Sequence, residues 1–133
     1  MKFSMNYPIL PPRFAPHLLG VLRIVSAALF LQHGTAKLFH APHVAMFDGV
    51  KLASLLGAAG VLELVGGALL LIGFATRPVA FLLSGQMAVA YFIAHAGKGL
   101  FPLVNQGELA IVYCFVFLYF AAAGPGRFAL DRE

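Results

Sequence analysis

Residues 52–74 read LASLLGAAGVLELVGGALLLIGF. As a helix this stretch is long enough to cross a bilayer, which takes about 20 apolar residues. It carries one charge, Glu63, close to its middle. A carboxylate at that depth is costly unless it faces other protein, pairs with a cation or carries a proton. Ala53, Gly57, Gly60 and Gly67 recur at helical spacing on the side that carries Glu63. Small residues in such a stripe let a second helix approach closely. The segment therefore predicts a helix bundle packed around a buried acid, and the rest of the chain must supply the partners.

Working outward, composition fixes the class. The chain has 133 residues, of which 61% are hydrophobic and 11% charged, whereas a soluble domain carries about a quarter charged residues. This is the composition of a membrane protein with a single bundle. A formal charge of +4 does not point to nucleic acid, because the basic residues are dispersed beside apolar runs, where they meet lipid headgroups. Cys114 is the sole cysteine, which excludes an intramolecular disulfide or a dithiol cycle within the chain and suits a small packing residue. The first apolar run is long, is interrupted by Arg23 and lacks a small-x-small cleavage site, so it does not read as a signal peptide.

The remaining segments follow from the same logic. Residues 1–16 form a leader in which Pro8, Pro11, Pro12 and Pro16 prevent a regular helix, with Pro16 placed to open the first span. The expected spans are 17–39, 52–74, 78–96 and 107–123, an all-α four-helix membrane domain over 17–123. A short charged tail follows over 124–133. The loop around Pro42 and Asp48-Gly49 has room for a short interfacial helix, and Gly124-Pro125-Gly126 stops the last span. In the first span Arg23, Ser26, Phe30, His33 and Lys37 share one face, and in the third Ser84, Ala88, Tyr91 and His95 do so, with Gln86 on another. Four spans put both termini on one side, with Lys2, Arg13, Arg77, Arg127 and Arg132; the positive-inside rule makes that side cytoplasmic. A weak echo relates residues 33–39 (HGTAKLF) to 95–101 (HAGKGLF). It fits either two duplicated hairpins or the bias of the composition.

Depth decides which polar groups can meet. With each span's midpoint at the membrane centre, Glu63 is central. Arg23 then lies about 7 Å towards the cytoplasm, near enough to reach Glu63, and His33 about 7 Å towards the outside. Lys37, His95 and Glu108 fall about 10–14 Å out and form an outer cluster. Each residue also has a plainer role: an Arg23–Glu63 pair fixing helix register, Lys37 snorkelling, Glu108 favouring its helix dipole, His95 capping a helix. Taken as a set, they are more than anchoring requires. A quinone needs hydrogen-bond donors for two carbonyl oxygens and protons for its reduction. His33, His95 and Lys37 are candidate donors, and Glu63 and Glu108 candidate proton relays. Tyr91 and the Phe-rich fourth span are candidates for an apolar slot. Haem between His33 and His95 fits poorly because their depths differ. His40-x-x-His43 lacks further zinc ligands, and no nucleotide-binding or nucleophile motif occurs.

The chain resembles the DoxX family of small four-helix membrane proteins. The features that carry the resemblance are Leu22-Arg23-Ile24, His33-Gly34-x-x-Lys37, Glu63-x-x-Gly66-Gly67, Gly73 and Thr76-Arg77, Ala90-Tyr91, His95, Pro102, Asn105-Gln106-Gly107-Glu108, Gly124-x-Gly126 and Leu130-Asp131. They run over residues 18–131, with one departure at Gln106, where the family usually has glycine. The resemblance implies a bacterial inner-membrane protein and a role as an oxidoreductase subunit, in some members linked to quinone reduction or oxidative stress. By position it draws attention to Arg23, His33, Lys37, Glu63, His95, Asn105 and Glu108. Without a redox cofactor motif of its own, such a chain takes electrons from partner proteins. The alternatives are a non-enzymatic scaffold for soluble redox enzymes, or a small-molecule or ion carrier. The glycine stripe of residues 52–74 would permit homo-oligomers.

Overall fold

The computed structural model describes residues 6–132; the leader's first five residues, Lys2 among them, and Glu133 lie outside it. Among the described residues there is no strand. The helices are α1 (Ala15–Phe39), α2 (Leu55–Ile72), α3 (Thr76–Ala94), the single turn α4 (Pro102–Asn105) and α5 (Glu108–Ala123). Three helical stretches, Pro12–Phe39, Leu55–Ile72 and Thr76–Lys98, are long and apolar enough to cross a membrane, and Glu108–Ala123 is a shorter apolar helix.

Local chemistry sets the ends. A 3-10 turn at Pro12–Phe14 leads into α1, with proline in the first turn, so the end of the expected leader is already helical. Ser54 caps α2 by accepting the Gly57 amide at 3.1 Å. Gly73 ends α2 at φ 69°, a left-handed conformation that costs glycine little, and its amide returns to Leu69 and Leu70. The expected interfacial helix is a 3-10 turn at Ala45–Phe47.

The long helices run up, down, up and down. Contacts at both ends of each pair fix this. Arg23 meets Leu70 while Lys37 meets Glu63. Arg77 meets Ala121 while Ser84 Oγ donates to the Cys114 carbonyl at 2.7 Å. Phe30 packs edge-on against Tyr113 and Phe117, which closes α1 onto α5. The core is Ala27, Phe30, Leu70, Ala80, Leu83, Met87, Tyr113, Phe117 and Phe120. Large apolar side chains cover the outside as well, among them Val25, Leu29, Val65, Phe81, Leu82, Phe92 and Phe115. A bundle apolar inside and out is suited to a lipid surround.

The stretch after α5 is not a free tail. Arg127 N donates to Pro16 O at 2.9 Å, Leu130 N to Ile72 O at 3.0 Å and Asp131 N to Gly73 O at 2.8 Å. The segment thus closes over the α1, α2 and α3 ends at one pole of the bundle.

Candidate functional site

The acid of α2 finds its cation in α1. Lys37 Nζ lies 2.6 Å from Glu63 Oε1, with both side chains largely buried. Glycines make this possible. A Cβ on Gly34 would lie 2.6 Å from Leu64 N and 2.9 Å from Gly60 O, so the α1 and α2 backbones are in near contact. Gly60 in turn abuts Lys37 Cβ and Leu38, and Gly67 abuts Leu31. The glycine stripe is used within the chain, by α1, and its Gly60 and Gly67 are not open to a second copy.

Around the pair stand residues from each of the other long helices. The Phe47 ring lies 5.4 Å from Lys37 Nζ, a cation–π contact. Gln86 of α3 directs its amide nitrogen to the Ala59 carbonyl at 3.4 Å and to Glu63 Oε1 at 3.5 Å. His33 packs edge-on to Tyr113 at 6.2 Å and lies within range of the Lys37 charge. Glu63 Oε2 and Gln86 Oε1 are buried with no hydrogen-bond partner among the described residues. Buried polar atoms are nearly always paired, so the two orphans make this small site a candidate for a bound water or ligand.

Arg23 takes no part in this site, contrary to the expected Arg23–Glu63 pair. It is fully buried at the opposite pole. Its Nε donates to Leu70 O at 2.9 Å, Nη1 to Arg127 O at 3.2 Å and also to Pro125 O, and Nη2 to Phe128 O at 2.6 Å. A guanidinium fork surrounded by carbonyls is a structural hub: four hydrogen bonds, one to α2 and three to the chain after α5, tie that chain to α1 and α2. Asp131 completes the pole by accepting the Ala75 and Thr76 amides at 2.8 Å each. Partial burial raises the Asp131 pKa. The Thr76 and Ala75 amides and the nearby Arg23 charge outweigh that and leave it below the ordinary carboxylate value.

The expected outer cluster of Lys37, His95 and Glu108 does not form, because Lys37 turns to Glu63. His95 Nδ1 donates to the Asn105 carbonyl at 3.0 Å. Asn105 is buried, and its amide nitrogen donates to Tyr91 Oη and Gly99 O at 3.0 Å each, while its Oδ1 accepts the Gly107 amide at 2.8 Å. Every polar atom of the Asn105 side chain is thus engaged. Tyr91, His95 and Asn105 form a loop lock that fixes α4 between α3 and α5. Glu108 is exposed in the first turn of α5, with no hydrogen bond or ion pair among the described residues. Of the fourth span's aromatics, Tyr113, Phe117 and Phe120 fill the core, while Phe115 and Tyr119 point outward. Of the expected site residues, the structure brings Lys37, Glu63 and His33 together in one place and Tyr91, His95 and Asn105 together in another. Gln86, Tyr113 and Phe47 were missed, although Gln86 stood out as the one amide in mid-span.

The chain is thus an all-helical protein with membrane-length apolar helices and a buried ion pair between the first two. The chain belongs to the DoxX family, whose family model matches residues 18–96. That match covers α1 to α3 and includes Lys37, Glu63 and Gln86. An uncharacterized protein of Haemophilus influenzae is 47% identical over 126 residues, covering 91% of this chain and 93% of the relative. No solved structure matches.

Proposed function

We propose that this chain is a four-span inner-membrane protein with both termini cytoplasmic, and that it serves as a quinone-contacting subunit of a membrane redox complex. The orientation rests on charge. Arg13, Arg77, Arg127 and Arg132 gather at the Arg23 pole, while Lys51 and Lys98 lie at the pole nearer Lys37. Helix α5, with 16 residues, is short for a crossing by itself. Packed against α3, it shares the membrane with a longer neighbour, and local thinning or tilt absorbs the difference.

The observation that carries the functional reading is the Lys37–Glu63 pair with an orphaned carboxylate oxygen. A buried ion pair gives weak net stability, and a pair kept only for packing has no reason to leave Glu63 Oε2 unmatched. Lys37 and His33 supply donors near the acid, and Glu63 is a proton acceptor in an apolar surround, the components needed to exchange protons with a quinone-class headgroup. Electrons come from a partner protein, since the chain has no dithiol and no recognisable cofactor motif.

The test is mass spectrometry of small molecules extracted from protein purified in mild detergent. A quinone-class molecule near one per chain, reduced in His33→Ala and kept in Glu108→Gln, is the expected result. Bulk lipid alone in folded wild-type protein would favour the scaffold reading.

A further inference from the structure

The proposed site has an imbalance that bears on which redox form it takes. Its unmatched atoms, Glu63 Oε2 and Gln86 Oε1, are both acceptors. Two of its donor groups already point at acceptors inside the site. The Gln86 amide nitrogen points to the Ala59 carbonyl and Glu63 Oε1, and Lys37 Nζ points to Glu63 Oε1 with the Phe47 ring beside it. An ionised carboxylate only accepts hydrogen bonds, and an amide oxygen only accepts. A ligand that completes this site must therefore bring O–H or N–H groups.

The site also borders the side of the bundle. Ala59 and Gln86 are half-buried at the seam between α2 and α3. Leu62, three residues from Ala59, and Val89, three from Gln86, are exposed on the same faces. The seam that holds the orphan atoms thus carries apolar side chains on its outer side, the side from which a headgroup on a lipid-soluble tail would arrive.

Resting on the quinone-class reading above, we infer that the α2–α3 seam is selective for the reduced, hydroxyl-bearing form, a quinol, over the corresponding quinone. A quinol hydroxyl donates to Glu63 Oε2 and completes the orphan. A quinone carbonyl placed there sets one acceptor against another, and inside a low-dielectric bundle that mismatch is poorly screened. Only binding is at issue; no electron transfer is assigned to this chain alone.

The experiment is anaerobic titration of the full-length protein in detergent with a short-tailed benzoquinol and, separately, its benzoquinone. The quinol is expected to bind about tenfold more tightly, the difference of one well-placed buried hydrogen bond. Gln86→Met, checked for helix content and melting temperature, is expected to narrow that preference. Its amide bonds are long, so the fold does not depend on them. Equal or tighter binding of the quinone by wild type would overturn the selectivity and leave the quinone-class reading standing. An unchanged preference in folded Gln86→Met would overturn the assignment to this seam. Binding of neither form by well-folded protein would overturn both, with the orphan oxygens then met by water.

Discussion

Lys37 Nζ and Glu63 Oε1 are 2.6 Å apart across the α1–α2 contact, and Arg23 is bound elsewhere, to the carbonyls of Leu70, Pro125, Arg127 and Phe128. The two buried cations of α1 therefore have separate duties. Replacing one partner of the pair leaves an uncompensated buried charge, so Lys37→Met is expected to cost about 3–5 kcal/mol. Glu63→Gln retains an acceptor for Lys37 and is expected to cost less. Thermal unfolding in detergent, followed by far-UV circular dichroism, checks the order.

The Arg23 pole predicts a different signature. Arg23→Met strips donors from buried carbonyls, each left at a cost of about 1–3 kcal/mol. The expected outcome is release of the segment after α5 before the bundle melts. Limited trypsin digestion reads this directly: Arg127 is expected to become a fast cleavage site in Arg23→Met and to stay protected in Lys37→Met.

Gly34 and Gly85 make a matched pair of substitutions. A Cβ at Gly34 would meet the α2 backbone at 2.6 Å, whereas one at Gly85 would have open space. Gly34→Ala must push the helices apart, at about 1–3 kcal/mol, and is expected to disturb the Lys37–Glu63 contact. Gly85→Ala removes a helix-interior glycine and is expected to stabilise by about 0.5–1 kcal/mol. Melting temperatures of the two variants should move in opposite directions.

Asp131 gives the chain an acid-sensitive cap. Its folded pKa lies below the ordinary value because the α3 amides and Arg23 favour the carboxylate more than burial disfavours it. The contribution to stability is therefore present above the unfolded-state value, about 3.9. It is lost as pH falls through the lower folded value. Asp131→Asn is expected to lower stability at neutral pH by about 0.5–2 kcal/mol, the range for a lost cap. The gap to wild type should close below about pH 4. Melting curves from pH 7 to pH 3 test it.

Much of the fold was legible because bilayer-length apolar runs, prolines and glycines mark helices locally. The structured ends of α1, α2, α3 and α5 fall within three residues of the expected spans. Glu63 was identifiable as the buried acid for the same reason. Its partner was not, because the depth argument set all span midpoints level. In the structure Arg23 lies beside Leu70, Gly34 beside Gly60 and Leu64, and Lys37 beside Gly60. The α1 midpoint is therefore offset from that of α2 by roughly six residues, or about 9 Å. Glycine-to-backbone packing sets this stagger, and composition and periodicity do not report it. Arg23, expected to reach Glu63, is placed beside Leu70, and Lys37, expected further out, comes level with the acid. His95 and Asn105 stand out as polar residues in the sequence, but the loop lock they form with Gly99 and Gly107 comes together only in three dimensions.

If the Lys37–Glu63 pair serves a ligand, as proposed, the fold does not need it. The double variant Lys37→Met/Glu63→Leu tests it most directly, because replacing both members of a buried pair with apolar residues is often neutral or stabilising. The measurement is mass spectrometry of the quinone-class molecule that co-purifies with the double variant and with wild type, alongside their melting temperatures. The double variant is expected to melt near or above wild type and to have lost the molecule. A folded double variant that still carries it at the wild-type amount would show that the pair does not hold it.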